Sequence, residues 1–310
     1  MRLLLCLTIV SLSFLPGFSR AEETYEKFKL QATYHAYWAG FVVSTITSEV
    51  YLSRDSYKVE VSYKTRGLLS FFSKAESTTY AKGKIDDEGY FLPLIYKKQG
   101  YWGSTHYKHV LEREPESGEA LTIGIYNEDR KWVREPVPEK FWNYVDPLTY
   151  MLNLFTENRA NIQTMTRDKK YVSDPVFDGS AAVEYSYSCP TIETLPQNRK
   201  SLYTGDAIVC GFTERLLSGK IKGKREYEDK KESTEPQTFK LWVVPWKDLP
   251  FVIPVKGEFP TGWGTVTVYL SQLDLEVFMD EEDSTAPQAG TEEDEDEARQ
   301  GREEFLEGNL

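Results

Sequence analysis

Residues Phe28-Lys29-Leu30-Gln31-Ala32-Thr33-Tyr34-His35-Ala36-Tyr37-Trp38 decide the fold class, because apolar side chains fill the even positions and mostly polar ones the odd positions. A period of two is that of a β-strand with one face in the core and one in water. His35 falls on the polar face, where we expect it to be solvated. After Ala39-Gly40, alternation resumes over 42–52 and 57–63, which predicts an antiparallel meander of three strands.

Alternating segments separated by turn residues continue through most of the chain. They predict strands at 76–84, 91–98, 105–113, 120–127, 131–135, 170–177, 180–189, 202–216, 238–244, 251–259 and 265–273. Asp178-Gly179 is typical of a tight hairpin turn, since both residues accept positive φ. Prolines lack an amide donor, and in the last third they predict edge positions or bends at Pro245, Pro250, Pro254 and Pro260.

One segment has helical spacing instead. Asp146 is suited to cap a helix, Pro147 fits its first position, and apolar residues follow at Leu148, Met151, Leu152 and Phe155. We expect this helix to end near Asn158. Strands, one amphipathic helix and further strands predict a mainly β protein with a single antiparallel curled sheet, a half-barrel or β-spiral, and the helix packed against its open side.

The N-terminal segment has the pattern of a secretory signal peptide. Arg2 precedes an apolar run from Leu3 to Leu15, and small residues flank a cleavage point near Ala21. The alternative is a membrane anchor, but the run is shorter than the roughly 20 residues that a span requires. We therefore expect residues 1–21 to be removed and the mature chain to be periplasmic, without a transmembrane segment.

Most of the net charge of −12 lies at the other end of the chain. Residues 280–310 hold 13 acidic side chains against Arg299 and Arg302, a net charge of −11. We expect a disordered acidic tail, which leaves residues 22–279 as one β-rich domain. Three roles are open for this tail: it keeps the protein soluble, it binds calcium, or it attracts a basic partner. The acidic balance excludes a nucleic-acid binder, which needs a basic face.

Taken together, several motifs resemble the bacterial domain-of-unknown-function 3108 family, exported proteins of Gram-negative bacteria. They are, in order, Tyr34–Gly40, Gly67 with Leu68-Leu69, Leu92-Pro93 to Tyr96, Asp146–Thr149, Pro175–Gly179, a strand ending at Cys210, Leu241–Val243 and Gly264–Val268. The resemblance covers roughly residues 25 to 275. It implies a curled sheet similar to the β-spiral of periplasmic envelope-integrity proteins and distantly to lipoprotein carriers, with no established activity or catalytic residues.

No catalytic or metal motif stands out. His106 and His109 are three apart on a predicted strand, so their side chains point to opposite faces and a shared metal is disfavoured. Asp146 resembles a catalytic carboxylate but is explained as a helix cap. Nucleophile-elbow, phosphate-loop and zinc-protease patterns are missing from the sequence. We therefore expect neither an enzyme nor a cofactor or metal.

Aromatic residues are the remaining candidates for binding. Tyr and Trp suit the core of a curved sheet, but a concave face lined by them could also hold a lipid or glycan. The weak ligand-binding candidates are Trp102, Trp142, Trp242 and Trp263. The expected function is a non-catalytic binding or envelope-maintenance role, with a lipid, a glycan or an envelope protein as partner. The alternatives are an exported hydrolase with an unrecognised site and, less consistent with the charged strands, an outer-membrane barrel.

Cys189 and Cys210 are the two cysteines outside the leader, since Cys6 lies within it. Each shares a strand face with apolar neighbours, Tyr187 in one strand and Phe212 in the other. Both sulfurs should point to the core side of neighbouring strands. In an oxidising compartment they are expected to form a disulfide, and the alternative is two separate buried thiols.

Deleting residues 280–310 should leave the free energy of unfolding of the domain almost unchanged, because the tail has few apolar residues to pack. Urea unfolding of the full and truncated chains tests this expectation. A loss of several kcal/mol on truncation would mean that the tail docks on the domain.

Overall fold

The computed structural model of the chain describes residues 27–67, 70, 74–127, 132–161, 169–223, 236–246, 249–262 and 264–278. The predicted leader (1–21), the acidic tail (280–310) and Trp263 lie outside these residues. The strands are β1 (Lys27–Trp38), β2 (Phe41–Leu52), β3 (Ser56–Thr65), β4 (Ala75–Ile85), β5 (Phe91–Trp102), β6 (Thr105–Arg113), β7 (Ala120–Asn127), β8 (Trp132–Arg134), β9 (Tyr171–Val172), β10 (Val176–Phe177), β11 (Ala182–Leu195), β12 (Gly205–Ser218), β13 (Ile221–Gly223), β14 (Gln237–Pro245), β15 (Val252–Thr261) and β16 (Gly264–Phe278). A 3-10 turn at Glu139–Phe141 precedes the helix α1 (Pro147–Asn161).

The fold is one antiparallel sheet that does not close on itself within the described residues. Its strand order is β10-β11-β12-β14-β15-β16-β1-β2-β3-β4-β5-β6-β7, with β9 paired to β11. β8 and β13 form a separate two-stranded sheet. The prediction of a mainly β protein with one antiparallel sheet and a single helix is confirmed.

The opening meander is formed as the alternation predicts. Phe28, Leu30, Ala32 and Ala36 of β1 are buried, whereas the residues between them are exposed or half-buried. The turn between β1 and β2 places both Ala39 (φ 48°) and Gly40 (φ 88°) in the left-handed region, as hairpin turns of this length require. His35 lies on the less buried face, where its Nδ1 is 3.5 Å from Thr45 Oγ1.

Two local predictions are wrong, and a third holds only in one of its alternatives. The segment 170–177 is not one strand but the two short strands β9 and β10. The hairpin after β10 has four connecting residues, because Phe177 pairs with Ala182 and the Asp178 carboxylate accepts hydrogen bonds from the amides of Ser180 and Ala181. The prolines of the last third were expected at edge positions or bends; because β14 and β15 lie inside the sheet, the edge position does not apply to them and the bend remains. Pro254 instead lies at a register shift and Pro245 at a strand end.

The helix is also longer than predicted, since it extends to Asn161. It contacts β4, β5, β10 and β15, strands that lie far apart in the sheet order. Leu152 and Leu154, both buried, belong to two different groups of packed apolar side chains. The helix therefore fills the space between two parts of a curled sheet.

Those two groups explain why alternation fades after residue 200. In β12, Ala207 and Val209 belong to the larger core, which extends across β1 to β6, whereas Cys210 and Phe212 belong to the smaller one. A strand covered on both faces has little reason to alternate apolar with polar residues. The sequence pattern in β12 is weak for this reason.

The curl brings the two ends of the sheet together. Lys98 Nζ of β5 lies 3.5 Å from the carboxylate of Asp178, which follows β10 at the opposite end of the strand order. The pKa of Asp178 is lowered: burial raises it, but Lys98, His109 and the hydrogen bonds from Ser180 outweigh burial. A methyl group added at Gly179 would be 3.9 Å from His109 Cβ, so this turn packs directly on β6.

The expected disulfide is present between Cys189 and Cys210, with a Cα–Cα distance of 4.0 Å. The two residues face each other across β11 and β12, where the register shifts between Ser188 and Thr191. The sequence separation is 21 residues. Both cysteines are buried in the smaller core.

Reducing this bond should lower the free energy of unfolding by about 3 kcal/mol, the chain-entropy value for a loop of this size. Urea unfolding of the protein with and without reductant measures the difference. Thiol labelling of the denatured, unreduced protein is the control and should detect no free thiol among residues 22–310. Two labelled thiols before reduction would show that the bond does not form.

Candidate functional site

Asp146 is fully buried and organises the start of α1. Its Oδ1 accepts hydrogen bonds from the amides of Leu148 and Thr149, both at 3.0 Å, so the predicted helix cap is confirmed. Its Oδ2 accepts the Thr149 hydroxyl at 2.6 Å. Because that hydroxyl donates to Asp146, the Tyr57 hydroxyl donates to Thr149 Oγ1 at 2.5 Å, and this chain of hydrogen bonds joins β3 to α1.

Arg113, at the end of β6, supplies the opposite charge. It is 4% exposed, and its guanidinium donates to the carbonyl oxygens of Gly118, at 3.1 Å, and Tyr144. These carbonyls hold two of its nitrogens in place, whereas its buried Nε has no hydrogen-bond partner among the described residues, and the charge of Asp146 acts on it without a direct ion pair. A buried cation and a buried anion near each other are far less costly than either alone.

Burial and charge act on these groups in opposite directions. Burial raises the pKa of the Asp146 carboxyl above its usual value, whereas Thr149 and Arg113 counteract part of that rise. Burial likewise lowers the pKa of Arg113, against the attraction of Asp146. The pKa of Tyr57 is raised by burial and by the negative charge of Asp146. Tyr57 therefore stays protonated and remains a hydrogen-bond donor at neutral pH.

Asn153 fixes the next turn of α1 to the sheet. Its Oδ1 accepts the Phe91 amide at 2.8 Å, and its Nδ2 donates to the Phe91 carbonyl at 3.0 Å. The side-chain amide thus reproduces the two hydrogen bonds that a neighbouring strand would make at the start of β5. No apolar residue at this position could replace them.

A cleft opens beside this junction, with a volume of about 500 Å³. Its lining includes Arg113, Asn153, Phe91, Tyr90, Leu92 and the turn that contains Gly118. Tyr90 and Leu92 are 45% and 47% exposed, whereas Phe91 is buried. The cleft thus offers apolar surface next to polar groups, as a site for a small amphiphilic group requires. We call it the helix-end cleft.

The predicted aromatic candidates do not come together. Trp102 is 63% exposed at the end of β5. Trp142 is half-buried and donates through Nε1 to the Val137 carbonyl at 3.0 Å. Trp242 is buried, donates to Glu193 at 2.8 Å and lies under Lys256 Nζ at 3.9 Å. Trp142 and Trp242 are thus accounted for by packing, and Trp263 lies outside the described residues.

Other aromatic residues stack on one another across five strands. The rings of Tyr171, Tyr187, Phe212, Phe239 and Phe259 form a row with centroid distances of 5.0 to 5.4 Å and interplanar angles of 4° to 21°. Cross-strand pairs of this kind stabilise a sheet. Leu154 of α1 belongs to the same packed core. Many of the tyrosines and phenylalanines are therefore explained by packing.

The histidines lie apart from the cleft lining. His106 and His109 lie on opposite faces of β6, and His106 is exposed whereas His109 is half-buried. Across the described ranges, no group of three or more His, Cys, Asp or Glu side chains is arranged to hold a metal ion.

Sequence reasoning identified Asp146 but missed Arg113, Tyr57 and Asn153. A signal for Arg113 was present. Arg113 lies on the same strand face as Leu111, which is only 1% exposed, and a charged residue on that face implies a buried partner. Tyr57 appeared as an ordinary apolar strand residue. Asn153 carried no readable signal, because its role depends on which strand end the helix meets.

Comparisons with known proteins find similar proteins but assign no activity. A family model described as "Protein of unknown function (DUF3108)" matches residues 33–271. Among solved structures, the chain is similar to a crystal structure entitled "Beta-barrel-like Protein of Domain of Unknown Function DUF1849" from Brucella abortus, with a TM-score of 0.46, 10% identity, and coverage of 81% of this chain and 98% of that one. No curated protein matches. Within the described residues, no helix has the length and apolar character needed to cross a membrane.

Asp146→Ala should lower the free energy of unfolding by about 2–3 kcal/mol, because it removes the helix cap and also leaves the buried Thr149 hydroxyl without its acceptor. A cap alone accounts for roughly 1 kcal/mol. Asp86→Ala is the matched control: its carboxylate also accepts two backbone amides, from Glu88 and Tyr90, at the exposed turn before β5. Urea unfolding of both variants measures the difference. Equal losses would show that Asp146 acts only as a cap.

Proposed function

The chain belongs to the DUF3108 family, and on that premise we propose that it is an exported, non-catalytic protein of the periplasm that works by binding. Its helix-end cleft takes the end of a lipid or glycan. The observation that carries this proposal is the cleft itself, which combines exposed apolar side chains with the half-buried Asn153 and the buried Arg113, both held by hydrogen bonds to the backbone.

Export is supported by two independent features. Residues 1–21 have the charge, apolar run and small residues of a cleaved leader. The Cys189–Cys210 disulfide is of a kind that persists in oxidising compartments such as the bacterial periplasm. The leader is a property of the sequence and the disulfide is a property of the fold, so neither depends on the other.

A binding role without catalysis is supported by how the ionisable groups are used. Asp146 accepts three hydrogen bonds, and Arg113 donates to two carbonyls. A general acid or base must have an atom within hydrogen-bonding distance of the substrate, so that a proton can be transferred. Both carboxylate oxygens of Asp146 instead point to groups of α1 itself. The site is built to hold its shape, which favours binding.

The cleft walls indicate the kind of ligand. Leu92 and Tyr90 offer a short apolar surface, while Lys84, Asp86 and Glu114 contribute charges of both signs. Cleft walls with charges of both signs suit a zwitterionic lipid end or a neutral sugar better than a strongly charged molecule. The ligand enters at the edge of the sheet, because packed side chains and α1 occupy its interior.

Native mass spectrometry tests the cleft with a lysophosphatidylethanolamine probe and, separately, a muropeptide probe. The protein is purified from the periplasm, and its mass should correspond to a chain that begins at Glu22. A bound adduct with one probe is expected, and Leu92→Asp should remove it. Leu121→Asp, on an exposed leucine of β7 that does not line the cleft, is the control and should keep the adduct.

Three results would contradict the proposal. One is the lack of an adduct with either probe, and another is equal retention of the adduct by Leu92→Asp. The third is conversion of a probe to a hydrolysed product, which would support the alternative of an exported hydrolase.

A further inference from the structure

Connections between strands lie side by side at the end of the sheet opposite the start of α1. The Arg66 amide donates to the Val43 carbonyl at 2.8 Å, so the chain leaving β3 lies against the start of β2. The Gly103 amide donates to the Lys74 carbonyl at 2.8 Å, which places the β5–β6 turn beside the start of β4. A methyl group added at Gly264 would be 3.5 Å from Trp38 Nε1, so the start of β16 adjoins the β1–β2 turn.

We define the turn rim as Trp38, Phe41, Arg66, Lys74 and Trp102. The three aromatic side chains are 37%, 64% and 63% exposed, in that order, and both cations are exposed. Trp38 belongs to β1 and Trp102 to β5, four strand spacings apart or about 19 Å. Isolated exposed apolar residues are ordinary, but three large aromatic residues in one row of turns mark a contact surface.

The composition of the rim suits a membrane interface. Tryptophan, phenylalanine and nearby lysine or arginine are the residues that proteins place at the level of lipid headgroups. Glu76, a carboxylate at the same end of β4, is ion-paired with Lys64 at 2.8 Å, which reduces its repulsion of an anionic surface. In the sequence, the segment that joins Gly67 to Lys74 is itself rich in apolar residues.

The distribution of charge also favours contact of the turn rim with an anionic surface. β16 ends at Phe278, which pairs with Lys27 at the end of the sheet where Tyr57 meets α1. The described part of the chain therefore ends opposite the turn rim, and the sequence that follows it, 280–310, has a net charge of −11. An anionic surface attracts the cationic end and repels the acidic one.

We propose that the turn rim docks the protein on the surface of an anionic phospholipid bilayer, with the helix-end cleft facing away from the lipid. This inference rests on the envelope location in the proposed function, but not on the ligand of the cleft. Sedimentation with phospholipid vesicles tests it, and the cleft is tested with soluble probes, so one can fail without the other.

The chain beginning at Glu22 is used, since it contains every described element and lacks the apolar leader. It should co-sediment with vesicles that contain phosphatidylglycerol. The double variant Phe41→Ser/Trp102→Ser should reduce the bound fraction at least tenfold. The control Val277→Ser/Phe278→Ser removes two exposed apolar residues, 50% and 44% exposed, from the opposite end and should bind like the unaltered chain.

The charges are tested separately with Arg66→Gln and Lys74→Gln. Each should weaken partitioning onto phosphatidylglycerol vesicles roughly fivefold, which corresponds to about 1 kcal/mol per basic residue near an anionic surface. Partitioning onto phosphatidylcholine vesicles should not change. High salt should reproduce the effect of both substitutions.

Quenching of tryptophan fluorescence by brominated lipids can be measured on the unaltered chain, so this test does not depend on whether the variants fold. Lipids brominated near the headgroup should quench the tryptophan fluorescence of the unaltered chain. Trp102→Phe should lower the fraction of the fluorescence that is quenched. The proposal is overturned if the unaltered chain does not bind vesicles or if both double variants lose binding equally. It is also overturned if Phe41→Ser/Trp102→Ser abolishes only a dimer seen by gel filtration, since the rim would then join two copies of the chain.

Discussion

A buried charge must be paired, and in this protein that requirement fixes where the helix meets the sheet. Asp146 is completely enclosed, and its oxygens satisfy the first turn of α1 and the Thr149 hydroxyl. Tyr57 reaches the same hydroxyl from β3, and the charge of Arg113 in β6 lowers the pKa of the Asp146 carboxyl and so favours its ionised form. A shift of the helix by one residue would break all of these contacts at once. Apolar packing alone would tolerate such a shift, so the polar network supplies the specificity.

With the helix fixed, the curl of the sheet follows. α1 contacts strands from distant parts of the sheet order, and it carries one buried leucine into each of the two cores. The Lys98–Asp178 pair and the packing of Gly179 on β6 hold the sheet ends near each other without a continuous ladder of strand hydrogen bonds. The Cys189–Cys210 bond ties β11 to β12 in the part of the sheet where the register is interrupted. The helix, the ion pair and the disulfide thus each act where hydrogen bonding between strands is weakest.

The fold could be predicted from the sequence wherever one sheet face is wet, and it was predicted poorly where both faces are covered. In β1 four of the six even positions are buried and the alternation is clear, whereas β12 buries Val209 and Cys210 on opposite faces and shows little alternation. Asp146 was recognised because capping is local. Tyr57 and Arg113 were missed because the sequence does not record that residues 57, 113 and 146 converge, and a tertiary contact of this kind needs the complete chain path. The prolines of β14 and β15 left edge positions and bends open for a related reason: a register shift inside the sheet tolerates a missing donor as well as an edge does.

The two ends of the sheet carry different chemistry, and this difference is what the proposed role depends on. At the helix end, Asn153 and the terminal nitrogens of Arg113 are hydrogen-bonded to backbone atoms, so these side chains of the cleft keep their positions whether or not a ligand is present. At the other end, Phe41 and Trp102 are exposed on turns whose backbones are bonded to neighbouring strands. Such side chains are held in a row at little further entropic cost, because the turns that carry them are already ordered. A rigid domain with a preformed cleft at one end and an aromatic, cationic row at the other is suited to present one end to a surface and keep the other accessible.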